Sequence, residues 1–293
     1  MRSNRLLFLL LALTGPAITW AIDLQPNDIV TPLPNKNYLT LSYLNTENTT
    51  RYRNGTVLPG NPVIETHTAI LRGSRTFTLG SLPAVTYLQL PYGSISPEGS
   101  LARAAGDTGI GDLSIATAIW PYANRNTRTY LGIAGYLISP TGSYSSQKAF
   151  NLGENRFRTD LQMGFQTPIT NSIDGMIAVD TMWFGGNSQC AAACGLASNG
   201  SLTQKPLTTT QLGPIYRINE TFTVGATYFY VAGGSISINN NDQNNAVNTQ
   251  RFLLSGQAYT SIGRISLQYG RDMEIKNGFV QNRLLIVRLA REF

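Results

Sequence analysis

Several stretches of this chain alternate apolar and polar side chains, and the connections between its expected strands are long and short by turns. The clearest stretch runs from Arg156 to Ile169. There Phe157, Leu161, Met163, Phe165 and Ile169 interleave with Arg156, Arg158, Asp160, Gln162, Gly164 and Gln166. Successive side chains of an extended strand point to opposite faces, so such a stretch has one apolar and one polar face. Likewise Ile265, Leu267 and Tyr269 oppose Arg264, Ser266, Gln268, Gly270 and Asp272, and Phe222, Val224, Ala226, Tyr228 and Tyr230 oppose Thr221, Thr223, Gly225 and Thr227. The full set of expected strands is 38–45, 63–76, 83–93, 111–120, 128–139, 155–169, 173–184, 205–217, 221–232, 249–260, 263–273 and 278–292. Most have about the nine to eleven residues, or a little more, that a tilted membrane strand needs.

The connections 46–62, 94–110, 140–154, 185–204 and 233–248 are long and rich in Asn, Gly, Ser and Pro. Those near 77–82, 121–127, 170–172, 218–220 and 261–262 are short, and only the last hairpin, near 274–277, breaks the alternation. A β-sandwich has no reason to lengthen every second loop, whereas an outer-membrane barrel pairs short periplasmic turns with long outer loops. The pattern predicts an all-β chain: a transmembrane antiparallel up-and-down β-barrel of about twelve strands.

Composition agrees. Charged residues are 13% of the chain, against roughly 25% in an ordinary soluble domain. Mean hydropathy is still only −0.09, because Asn, Thr, Ser, Gln, Gly and Tyr fill the gap. At the N-terminus Arg2 and Arg5 precede an apolar run from Leu6 to Leu13, and Thr19-Trp20-Ala21 ends in a small residue. Residues 1–21 therefore read as a secretory signal, with cleavage expected after Ala21 and Ala17 as a weaker site. No lipobox Cys follows. Beyond residue 21 no run of eighteen apolar residues occurs, which excludes a helical span, so a membrane-inserted chain must close into a barrel. Residues 22–37 are expected as a periplasmic N-terminal segment and 38–293 as the barrel, in the outer membrane of a Gram-negative bacterium. Removing the two signal arginines lowers the formal net charge from +6 to +4, too small and diffuse an excess for nucleic-acid binding.

The last strand carries its own mark: the chain ends in Phe293, and counting back by twos gives Arg291, Leu289, Val287 and Leu285. A terminal aromatic with alternating apolar residues is like the signal read by the barrel-assembly machinery, and Arg291 departs from it. Trp120, Tyr122, Trp183, Phe184, Tyr92 and Tyr136 lie near strand ends and are candidates for aromatic girdles.

Catalysis finds few candidates. Cys190 and Cys194 flank three residues of a long Gly/Ala/Ser/Asn loop, and in an exported protein such a pair reads as a small disulfide rather than a metal site, since no His or carboxylate stands beside it. The lone His67 has no serine at a spacing that makes a nucleophile–base pair. Asp174 and Asp180 are six residues apart on one strand face, roughly 20 Å, too far to share a proton. Gly106, Gly109 and Gly111 fit neither phosphate-binding fingerprint. No cofactor and no metal are expected.

Asp107-Thr108-Gly109-Ile110-Gly111-Asp112-Leu113 carries a Gly-x-Gly-Asp-apolar motif opening a strand. With Leu90-Pro91-Tyr92, Asn155-Arg156 and the terminal Phe293, it resembles a family of outer-membrane barrels named after the meta-cleavage pathway of phenol degradation. The resemblance covers nearly the whole mature chain. It implies about twelve strands and a role in uptake of hydrophobic or aromatic compounds, and it brings no set of functional residues.

The expected pore-lining set is Arg156, Arg158, Asp160, Gln162, Asp174, Asp180, Arg251, Arg264, Gln268, Asp272 and Arg288. Charges of both signs in a narrow tube either line a water-filled path or pair across it and close it. The first is favoured, and the slight excess of arginine points to anionic or polar solutes. The expected function is an outer-membrane channel for passive diffusion of small molecules. The alternatives are a structural or adhesive barrel with partner-binding loops and, more remotely, a barrel hydrolase. Expected partners are outer-membrane lipid and lipopolysaccharide, the assembly machinery and a small-molecule solute; a monomer is the default.

Overall fold

A computed structural model describes residues 23–293; the signal peptide read at 1–21 lies outside them. Twelve long strands build the wall: β1 (Asn37–Arg53), β2 (Pro62–Leu79), β3 (Leu82–Gly99), β4 (Ser114–Asn124), β5 (Thr129–Ile138), β6 (Arg158–Pro168), β7 (Ile173–Phe184), β8 (Leu207–Arg217), β9 (Phe222–Gly233), β10 (Val247–Thr260), β11 (Gly263–Ile275) and β12 (Gly278–Glu292). Each is antiparallel to its sequence neighbours, and β12 pairs with β1 from Tyr38↔Glu292 to Tyr52↔Gly278. The sheet is thereby closed, with no edge left in the wall.

The alternation in the sequence becomes an inside and an outside. On β6, Leu161 and Met163 are each 54% exposed, while Asp160 and Gln162 are each 3% exposed. Leu41, Leu88, Ile177, Leu254 and Leu267 also stand outward and exposed, and Gln89, Gln211, Gln257 and Gln268 are buried inside. A soluble domain buries the first kind and exposes the second. The inversion fits a wall whose outer neighbour is hydrocarbon.

Short turns at one end, such as Gly80–Ser81 and 261–262, mark the periplasmic side, and the longer connections mark the extracellular side. The largest boundary differences are in the first and third strands. β1 runs to Arg53 rather than 45 and β3 to Gly99 rather than 93, so most of the loops expected at 46–62 and 94–110 is paired strand. Apolar alternation stops there, at Asn45, Glu47, Glu65 and Ser96, but backbone pairing does not require it. The loops at 185–204 and 233–248 are not bare either. Asn187–Cys190, Gly200–Gln204, Ile236–Ile238 and Asn241–Asp242 pair into a small four-stranded sheet above the barrel.

Of the girdle candidates, Tyr92, Tyr122 and Trp183 are outward and exposed. Trp120 and Tyr136 are corrections: both are buried inside, Trp120 against Ile29 and Tyr136 against Met182. Phe184 also packs with that inner cluster.

Candidate functional site

The lumen is filled at its periplasmic end by the chain itself. Of residues 23–36, expected to lie in the periplasm, 23–31 enter the barrel and bond its polar inner wall, while Leu33 to Asn35 stay exposed. Leu24 N donates to Gln211 Oε1 (3.0 Å), Gln25 Nε2 to Gln268 Oε1 (2.6 Å), and Gln257 Nε2 to the Pro26 carbonyl (2.8 Å). Asn27 donates to Gln257 (3.2 Å) and accepts from Gln166 (3.3 Å). Ile29 is 3% exposed among Trp120, Tyr130, Met176 and Ile215, and Trp120 Nε1 donates to its carbonyl (2.7 Å). The wall makes room for this plug: a Cβ on Gly225 would stand 2.7 Å from Pro26 Cγ.

The plug also carries the counter-charges of the wall. Asp28 pairs with Arg264 (3.0 Å) on β11 and Arg288 (3.2 Å) on β12, and Asp23 pairs with Arg251 (2.6 Å) on β10. Burial works against the Asp28 charge, but the two arginines outweigh it, and its carboxyl titrates below the ordinary range. At the periplasmic rim Asp174 is held by Arg217 (2.5 Å) and Arg128 (3.6 Å).

At the extracellular mouth, residues 139–157 fold inward and are clamped by the motif that singled out this region. Asp107 takes Lys148 Nζ (2.6 Å) and the Leu152 N–H (3.0 Å). Asp112 takes the N–H groups of Gly142 (2.9 Å) and Glu154 (3.0 Å) and a contact from Arg158 (3.2 Å). The segments approach closely: a Cβ on Gly142 would stand 2.7 Å from the Gly111 carbonyl carbon. Glu154 pairs with both Arg156 (2.6 Å) and Arg158 (2.7 Å), and Arg156 also stacks over Phe184 and donates to Gln204 (2.6 Å). This network ties the loop to the wall. Phe150, from the same loop, packs on Ile64 and Phe279.

Cys190 and Cys194 are disulfide-bonded, with Cα atoms 5.6 Å apart, and the bridge packs on Ile236 and Ile238 over the mouth. No group of three His, Cys, Asp or Glu side chains converges on a metal position among the described residues.

Between plug and mouth remains a cavity of about 370 Å³. One side is apolar, with Leu44, Ile64, Ile95, Phe150 and Phe279; Asp23, Asp180 and Arg251 stand among its polar lining. Tyr87 and Tyr136 meet edge to face at 6.2 Å on its wall, and Arg72 stacks on Tyr87 at 4.3 Å. The eleven residues expected to line a pore all turn inward, but the periplasmic ones meet the plug rather than open water. Gln25, Asn27, Asp28, Asp107 and Glu154 were missed in the sequence. The signal for the plug is the set of inward glutamines, which need partners when buried.

His67 stands on the outside, not in the lumen. Its Nδ1 lies 2.7 Å from Tyr43 Oη and 3.3 Å from Asn45 Nδ2, and its Nε2 lies 3.5 Å from Glu65.

The family described as "Putative MetA-pathway of phenol degradation" matches residues 47–289. The chain belongs to this family. Among solved structures it is similar to an outer membrane channel from Pseudomonas putida F1, at 23% identity and a TM-score of 0.87, over 92% of this chain and 100% of that one. It is also similar to the translocator domain of the autotransporter NalP from Neisseria meningitidis (11% identity, TM-score 0.52, 91% of each chain). A third is the β-domain of the Bordetella autotransporter BrkA (9% identity, TM-score 0.51, 86% of this chain and 98% of that one). Among proteins with curated functions none matches it in sequence. At these identities the structural likeness shows the fold, a closed twelve-stranded barrel, and this family member is a protein of the bacterial outer membrane.

Proposed function

We propose that this family member is a narrow, plug-restricted channel that admits small molecules from outside, with apolar or aromatic solutes as its preferred cargo. The observation that carries the reading is the cavity above the plug. Its volume of about 370 Å³ lies in the range of small-ligand sites, and it combines an apolar face with a few fixed polar groups, as such sites do. The structural neighbour from Pseudomonas putida F1 is itself an outer membrane channel. Transport would be passive, by diffusion, with no enzymatic step. The apolar belt would contact outer-membrane lipid and lipopolysaccharide, the strand ending in Phe293 would be read by the assembly machinery, and the barrel would work as a monomer. An adhesive role is less favoured, because the loop at 139–157 folds into the mouth instead of projecting.

The deciding experiment is single-channel recording of the refolded mature protein, with phenol then added on the loop side. Discrete conductance steps, interrupted briefly in proportion to phenol concentration, are expected. A heat-modifiable, correctly folded barrel that stays electrically silent and binds no phenol by calorimetry would overturn the reading.

A further inference from the structure

Asp160 and Asp180 sit on the inner faces of β6 and β7. In the register Asp160 faces Met182 and Gln162 faces Asp180, which puts the two carboxylates at diagonal positions with backbones about 7–8 Å apart. Asp160 is 3% exposed, and neither of its oxygens has a hydrogen-bond partner. Asp180 is 6% exposed and accepts from Gln211 Nε2 (3.4 Å), whose Oε1 accepts from the Leu24 N–H (3.0 Å).

Six lumen arginines are engaged elsewhere, and Arg51 and Arg53 also line the cavity. Arg156 and Arg158 serve Glu154 and Asp112, Arg251 serves Asp23, Arg264 and Arg288 serve Asp28, and Arg72 bonds Gln89. Plug and loop therefore engage five of these arginines. Asp160 and Asp180 stand inside without an ion-pair partner among the described residues, as does Asp272, which instead accepts from the Gln281 N–H (2.7 Å). Buried carboxylates are costly unless a positive charge or a proton joins them.

We propose that Asp160 and Asp180 form a monovalent-cation site at the floor of the cavity and make the channel cation-selective, reversing the preference that arginine excess alone implies. The proposal rests on the channel reading for its selectivity half. Asp23 and Asp180 line the cavity, so an ion inside it meets them. No third ligand converges to chelate a divalent ion among the described residues, which fits a loosely held potassium- or ammonium-sized ion. A ring of fixed negative charge at a constriction favours cations in this way.

The test is the reversal potential of the refolded protein under a potassium chloride gradient at alkaline pH. Wild type is expected to prefer potassium, and Asp160→Asn combined with Asp180→Asn to lower the potassium-to-chloride permeability ratio several-fold. An unchanged ratio, or anion preference in wild type, overturns selectivity by this pair. A silent barrel instead sinks the channel reading and leaves the site to be read by melting in detergent. Wild type should then melt higher in potassium chloride than in choline chloride of equal ionic strength. Equal melting in the two salts overturns the site, whether or not the double variant folds.

Discussion

Asp28 shows how one side chain decides what the charges of the wall mean. It is the only carboxylate paired with Arg264 and Arg288 among the described residues, and it holds residues 23–31 in the lumen from the sides of β11 and β12. Asp28→Asn would leave both guanidinium groups without a counter-ion, a loss of about 3 kcal/mol for a largely buried pair. The plug should loosen: limited proteolysis should cut within 23–36 faster than in wild type, while the barrel stays heat-modifiable. The same carboxyl gives a pH dependence whose sign is fixed. Its titration point is depressed in the folded state, so its contribution is complete at neutral pH and is lost as pH falls through that lowered value. Acid should therefore bring wild type to the cleavage rate of Asp28→Asn, and the variant itself should respond little over that window. Proteolysis at a series of pH values in detergent checks both. The sequence already marked Arg251, Arg264 and Arg288 as inward. It did not reveal their partners, because Asp23, Asp28 and Glu154 lie in segments with no periodicity to say which way they face.

At the scale of the element, the wall strands were legible because two faces with different neighbours impose period two on the side chains. β6 is the clearest case, and it predicts its own sensitivity. Leu161→Arg places a charge on the outer face, and near the bilayer middle such a change costs about 2–4 kcal/mol. Urea unfolding from lipid vesicles should show that loss. The small sheet over the mouth was not legible. Its strands are two to five residues long and joined from two separate loops, too short for alternation to register. Its staple was legible, since two cysteines so close in an exported chain have few other uses. A loop this small closes with little entropy, so the bridge stabilises by about 2 kcal/mol in the chain-entropy picture. That stabilisation belongs to the sheet rather than to the wall, whose hydrogen bonds do not depend on it. Replacing Cys190 and Cys194 by serine should speed protease cutting between 185 and 204 and leave the unfolding of the barrel unchanged.

On the scale of the whole molecule the lumen is three zones in series: a plug at the periplasmic end, a cavity in the middle, and an inward-folded loop with a disulfide-bonded sheet at the mouth. Either end can set the resistance of the path, and the structure offers a way to tell them apart. The wall is closed by its own ladders from β1 to β12, so its integrity does not depend on the plug. Exchanging residues 24–31 for a Gly/Ser segment of equal length removes Ile29 from its pocket and Asp28 from its arginines. It also removes the plug partners of Gln166, Gln211, Gln257 and Gln268. Water entering the vacated lumen can satisfy those amides, so the barrel should still fold and shift on a gel when heated. Single-channel conductance should rise several-fold if the plug is the narrowest zone. Conductance equal to wild type would instead place the limiting constriction at the mouth, where Phe150 packs on Ile64 and Phe279 and the Cys190–Cys194 bridge overhangs the cavity. The same exchange bears on the loop clamp, because Asp107 and Asp112 bind residues 142–154 without any contribution from the plug. Combining it with Asp112→Asn, which weakens the clamp alone, should then add a second rise in conductance only if the two zones resist flow independently.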